Sequence, residues 1–129
     1  MLKQLLFIFC LLASTTIFAQ DPVKFNKYKH SFGQIPQNKP VSHEFSFTNT
    51  SDKPVVIEFV NADCGCTTPD YPKQAIAKGK SAKIKVTFNA AALGKFRKTI
   101  TIKFVKNNKP FILNIDGEVL DGAPKKKAK

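Results

Sequence analysis

The residues best able to do chemistry in this sequence are two cysteines held apart by one glycine, Cys64-Gly65-Cys66, flanked by Asp63 and Thr67 and followed by Tyr71. Four chemistries fit the pair. Its Cα atoms can stand at most ~7 Å apart, near the upper end of what a disulfide accepts, and Gly65 can tighten the backbone between them. Such a bond would close a very small ring, so it would staple only its own loop. Two thiolates also suit a soft ion such as Cu(I), with His43 or His30 as further ligands. A closed zinc site needs four ligands, and the two cysteines and two histidines show no recognised spacing for one. Thiol–disulfide catalysis is the third chemistry. Dithiol enzymes mostly place C-x-x-C at a helix start, whereas this motif follows a strand-like run and carries Asp63, whose charge raises a neighbouring thiol pKa. The fourth reading is structural: a bend shaped by Gly65 and capped by Thr67 or Asp63.

No second constellation competes. The nine acidic residues are scattered. The serines show no nucleophile-elbow pattern, and no glycine-rich phosphate loop is present. The expectation is therefore a protein that is not an enzyme and needs no cofactor, with Asp63, Cys64, Gly65, Cys66, Thr67 and Tyr71 as its candidate loop site. His43 falls at an inward strand position, where a hydrogen-bonded core histidine is the commoner outcome.

The elements that must position this loop read as strands. Val41-x-His43-x-Phe45-x-Phe47 alternates with Ser42, Glu44, Ser46 and Thr48, the period of a half-buried strand. Val55-x-Ile57-x-Phe59, Ala82-x-Ile84-x-Val86-x-Phe88, Ile100-x-Ile102-x-Phe104 and Phe111-x-Leu113-x-Ile115-x-Gly117-x-Val119 repeat the pattern. Val23 to Ile35 should hold one or two shorter strands, broken near Phe32-Gly33. Asn49 to Pro54 and Lys106 to Pro110 read as turns, and Asp70 to Gly79 as a loop. Ala90-Ala91-Ala92 has the composition for one helical turn before Gly94. About seven strands at short spacing predict an all-β fold, an immunoglobulin-like antiparallel β-sandwich. A small closed barrel is the alternative. With no tryptophan present, Phe45, Phe47, Phe59, Phe88 and Phe104 must supply the core volume.

Residues 1–19 read as a cleaved signal peptide. Lys3 supplies the positive start, Leu5 to Leu12 the apolar run, and Ile17-Phe18-Ala19 the small-residue cleavage site. The apolar run is shorter than the ~20 residues a spanning helix needs, so no transmembrane segment is expected after cleavage. Residues 20–120 then form one domain, of the ~100 residues a sandwich takes, and 121–129 a disordered basic tail. An exported protein, periplasmic or extracellular, is the expectation. The 129-residue chain carries a net charge of +12, with Arg97 the single arginine among 21 basic residues. Nucleic-acid and phosphate sites favour the bidentate guanidinium, so no nucleic-acid partner is expected. The lysines fit a solvated surface that blunts strand edges, with weak contact to an anionic envelope surface as the sharper reading. An envelope protein or peptide bound by strand addition is the partner this fold class accommodates.

These residues together resemble the bacterial domain-of-unknown-function family DUF1573. The resemblance is carried by Phe32-Gly33-x-Ile35, Val41-x-His43-x-Phe45-x-Phe47-x-Asn49, Pro54-Val55-Val56-Ile57, Cys64-Gly65-Cys66-Thr67, Tyr71-Pro72, Ile76-x-x-Gly79, Ile84-x-Val86-x-Phe88, Gly94-x-Phe96-x-Lys98-x-Ile100 and Ile115-x-Gly117-x-Val119. Asn89 stands where an aspartate is usual, Lys78 where a proline is usual, and the turn at Thr50 to Lys53 lacks a glycine. The resemblance implies an immunoglobulin-like domain of the PapD and sperm-protein type in secreted proteins. It implies no reaction, cofactor or partner.

Overall fold

Eight strands, and no helix among the described residues, carry the chain in a computed structural model that describes residues 17–122. Most of the expected signal peptide and the end of the basic tail, residues 1–16 and 123–129, lie outside the described residues. The strands are β1 (Val23–Phe25), β2 (Lys29–Pro36), β3 (Val41–Asn49), β4 (Ile57–Ala62), β5 (Thr67–Asp70), β6 (Ser81–Phe88), β7 (Gly94–Phe104) and β8 (Phe111–Leu120). They form two four-stranded sheets, ordered β1-β3-β6-β5 and β2-β8-β7-β4. The fold is therefore the expected immunoglobulin-like sandwich and not a closed barrel.

The alternating residues meet between the sheets. Phe45, Phe47, Ile84, Val86, Ile100, Ile102, Phe104, Leu113 and Ile115 are all essentially inaccessible to solvent. Each fully buried side chain of this size contributes roughly 1.5–3 kcal/mol. Four of the five expected core phenylalanines are buried. Phe59 is not, because the β4–β7 pairing shifts register between Ile57 and Phe59. The bulge adds one residue to the count, so Val60 turns inward and Phe59 stays half-exposed.

Several expectations change in the first and middle segments. The N-terminal run makes two strands in different sheets. β1 pairs antiparallel with β3 through Val23–Asn49 and Phe25–Phe47. The chain then crosses over, and β2 runs parallel to β8, so one sheet is mixed and not antiparallel throughout. The break expected near Phe32-Gly33 is a bulge inside β2, with Gly33 at φ +66°, a conformation that favours glycine. No helical turn forms at Ala90 to Ala92. Ala90 is buried in a left-handed conformation (φ +55°), and the Asn89 side-chain oxygen accepts the Ala91 N–H at 3.1 Å, as an aspartate in that place would.

The extra strand is β5, which contains Pro69. Its tolerance follows from register. The Asn89 N–H donates to the Cys66 carbonyl, which makes Cys66–Asn89 a hydrogen-bonded pair. Alternation then turns the backbone nitrogen of Pro69, opposite Val86, away from β6 to the free edge. A proline there removes no ladder bond and blunts the edge.

Asn49 closes the turn after β3. It is buried, and its Nδ2 donates to the carbonyls of Lys53 (2.8 Å) and Ile76 (2.9 Å). Its Oδ1 accepts from the Ser51 N–H (2.9 Å) and hydroxyl (2.7 Å). One side chain thus does the work that a glycine-containing turn would do through backbone conformation.

Candidate functional site

The Cys64-Gly65-Cys66 turn is the corner where the chain leaves one sheet and enters the other. β4 is the edge of the β2-β8-β7-β4 sheet, and β5 the edge of the opposite one. The Asp63 N–H donates to the Thr99 carbonyl at 3.1 Å, which fixes the end of β4. The Thr67 N–H donates to the Cys64 carbonyl at 3.3 Å, which closes the turn. The Asn89 N–H donates to the Cys66 carbonyl at 2.9 Å and ties the start of β5 to the β6–β7 connection.

Within this corner the two sulfurs lie in disulfide contact across Gly65, with Cα atoms 5.3 Å apart. The Cys66 N–H donates to Cys64 Sγ at 3.3 Å. The buried Thr67 places its Oγ1 4.0 Å from Cys64 Sγ and 3.7 Å from Cys66 Sγ. Asp63 and Gly65 are exposed, and both cysteines are half-buried.

Cys66 also lines an open cleft of about 390 Å³ at this end of the sandwich. The cleft has an aromatic part, Phe88 and Phe96 stacked with ring centroids 4.0 Å apart. Leu93, 56% exposed, stands on it, as do Lys95, Arg97 and Lys98. Lys95 and Arg97 face Glu118 and Asp116 across the β7–β8 ladder. Lys98 is one residue out of phase with them, on the same side as Phe96 and Ile100, and is half-buried. Among the described residues no carboxylate lies within ion-pair distance of it.

The structure separates some candidate residues and joins others. Tyr71 lies apart from the cysteine cleft, in a second depression with Glu44, Asp70, Lys83 and Lys85, and the Lys73 ammonium sits 3.4 Å over its ring. His43 stacks on His30, with ring centroids 3.6 Å apart and planes 7° from parallel. Phe32 and Phe45 close the two ends of this stack edge-on, each 4.7 Å from its histidine. The residues that hold His43 are thus rings, where a hydrogen-bonded core histidine was expected. Burial, then the Lys27 charge, lowers the His30 pKa below its ordinary 6.5, against an opposing pull from Asp116. His43 is lowered by burial, then by His30 and Lys27, with Glu44 opposing. Among the described residues no three of His, Cys, Asp and Glu are grouped as a metal site.

Sequence reasoning missed the cleft and the histidine stack. Both unite residues from separate strands, and the visible signals were slight: an apolar Leu93 inside a polar connection, and the lone arginine nearby.

Known proteins place this geometry. A family model described as "Protein of unknown function (DUF1573)" matches residues 23–119. No curated protein matches the chain. Among solved structures, a protein of unknown function from Porphyromonas gingivalis W83 superposes with a TM-score of 0.64 at 12% identity, over 74% of this chain and 46% of that one. The chain thus spans less than half of that protein. The ASH/PapD-like domain 7 of human CEP192 superposes at 0.68 and 8% identity, over 82% of this chain and 92% of the domain. The Vibrio cholerae VesB protease superposes at 0.61 and 14% identity, over 76% of this chain and 32% of the protease. Likeness at these identities carries the fold and no chemistry.

Proposed function

This chain belongs to the DUF1573 family of proteins of unknown function, and from that premise we propose that it is an exported, non-catalytic module that binds an extended segment of an envelope protein by strand addition at β4. The observation that supports this reading is how differently the four sheet edges are defended. β1 is three residues long and carries Lys24. β2 is bulged, begins at Lys29 and ends at Pro36. β5 turns Pro69 to its free edge. β4, Ile57-Glu58-Phe59-Val60-Asn61-Ala62, has neither lysine nor proline, and only its bulge at Ile57 to Phe59 interrupts it. The Asp63 N–H pairs with Thr99 on β7, so by alternation the N–H groups of Val60 and Ala62 point away from the sheet. An edge of this kind is a template for another strand.

Ala62→Pro deletes one outward N–H and leaves the β7 ladder whole. A photo-crosslinking side chain at Glu58, in protein expressed in its own envelope, should capture a discrete partner that Ala62→Pro abolishes. The same crosslinker at Lys24 on β1 should not capture it. Equal capture from both edges, or capture indifferent to Ala62→Pro, overturns the proposal.

A second reading, thiol redox handling at Cys64 and Cys66, is favoured by one observation: Cys66 lines an open cleft together with Lys98, which has no ion-pair partner among the described residues.

A further inference from the structure

We propose that this cleft is a thiol-exchange site selective for anionic thiols, with Cys66 the sulfur attacked and Lys98 the group that receives the ligand's carboxylate. The proposal does not rest on strand addition at β4. It deepens the redox reading by assigning the electrophilic sulfur, the leaving sulfur and the class of thiol.

Three observations converge on it. Cys66, and not Cys64, lines the cleft. Cys64 Sγ, and not Cys66 Sγ, accepts a backbone N–H, that of Cys66 at 3.3 Å, while the Thr67 hydroxyl lies near both sulfurs and does not distinguish them. A hydrogen bond to sulfur favours the thiolate over the thiol, and the more stable thiolate is the better leaving group. Lys98 lines the same cleft on the inward side of β7, and among the described residues no carboxylate is within ion-pair distance to neutralise it. A half-buried, unneutralised cation draws negative charge and is screened less than a fully exposed one. Phe88, Phe96 and Leu93 supply apolar contact for the remainder of the ligand.

The reaction balances as an exchange. A ligand thiolate attacks Cys66 Sγ. The new bond joins the ligand sulfur to Cys66, the Cys64–Cys66 bond breaks, and its electron pair leaves on Cys64 as a thiolate. In this step the ligand sulfur is oxidised to the disulfide level and Cys64 is reduced to a thiolate, one electron each. A second ligand thiolate then attacks the ligand's sulfur in the mixed disulfide and expels the Cys66 thiolate. Two ligand thiols end as one disulfide, and the two electrons they lose reside in the reduced cysteine pair.

The test uses the oxidised full-length exported protein and three probes: N-acetylcysteine (anionic), 2-mercaptoethanol (neutral) and cysteamine (cationic), each at matched thiolate concentration. After acid quenching, free thiols are capped with N-ethylmaleimide and the peptides mapped. The expected result is probe on Cys66 and maleimide on Cys64. The anionic probe should react about tenfold faster than the cationic one at low salt. Lys98→Gln should shrink that ratio, whereas Lys83→Gln, on the outer face of β6, should not. In the wild type the ratio should also fall in ~1 M salt, where screening acts within ~3 Å. Probe found on Cys64, equal rates for the three probes, or an equal effect of the two lysine substitutions overturns the proposal.

Discussion

At the scale of single residues, the His30–His43 stack makes the firmest claim about solution behaviour. Two imidazoles with centroids 3.6 Å apart cannot both take a proton without strong repulsion. Phe32 and Phe45 offer the rings no compensating hydrogen bond. Lys27 adds positive charge, while Asp116 and Glu44 oppose it only in part, and both histidines stay below the ordinary 6.5. The folded chain therefore binds fewer protons than the unfolded chain just below pH 6.5. Stability is present in full above that value and falls as the pH drops from it toward the lowered folded pKa values. The expected outcome is a melting temperature that falls between about pH 7.5 and about pH 5. The fall should be smaller in His43→Gln, which leaves His30 without a titrating neighbour. Thermal unfolding of both proteins across that range is the check, and an identical pH dependence would refute the claim. Neither histidine announced its partner, because the stack unites strands of opposite sheets.

At the scale of elements, alternation made β3, β6, β7 and β8 legible, since each buries one face and exposes the other. It failed where a bulge changes the count. The shift between Ile57 and Phe59 exchanges Phe59 for Val60 in the core, and no local propensity marks it. β5 is not legible in the sequence, because Pro69 reads as a breaker until the register shows that its nitrogen faces an edge. The Cys64-Gly65-Cys66 corner was visible as a bend, but its place as the passage between two sheets depends on pairings far apart in sequence. The β2 bulge gives the most direct test at this scale. Gly33 turns its carbonyl toward β8, and a Cβ built on Gly117 would lie 2.8 Å from that oxygen and 2.8 Å from the Phe96 ring. The Phe96 ring can shift, but the backbone oxygen has little room to do so. Gly117→Ala should thus cost about 1–3 kcal/mol, the usual range for overpacking. In urea unfolding this appears as a lower midpoint with an unchanged slope. A wild-type midpoint would show that the β2–β8 approach is looser than the structure has it.

At the scale of the whole molecule, the sandwich separates charge from core almost completely. Lys83 and Lys85 line the outer face of one sheet, and Lys95, Arg97 and Lys103 the outer face of the other. Their exposed pairs, Lys83–Glu44 among them, each contribute little to stability, at most ~1 kcal/mol. The excess, +12 for the whole chain and +11 once Lys3 leaves with the expected signal peptide, therefore acts outward. A surface of this sign, on a protein we propose to be exported, should be drawn to anionic lipid, with about 1 kcal/mol per lysine held near the bilayer. The terminal Lys125-Lys126-Lys127-Ala128-Lys129 adds four lysines close together in sequence. Removing residues 123–129 should weaken co-sedimentation with vesicles rich in anionic lipid by a few kcal/mol at low salt, while neutral vesicles should retain neither form. Raising the salt shortens the screening length from ~30 Å at 0.01 M to ~8 Å at 0.15 M, and this should release both forms. If the full-length protein stays in the supernatant at low salt, the lysines serve solubility alone. If truncation changes nothing while binding persists, the attraction belongs to the folded faces, with Lys83, Lys85 and Lys103 the next residues to neutralise.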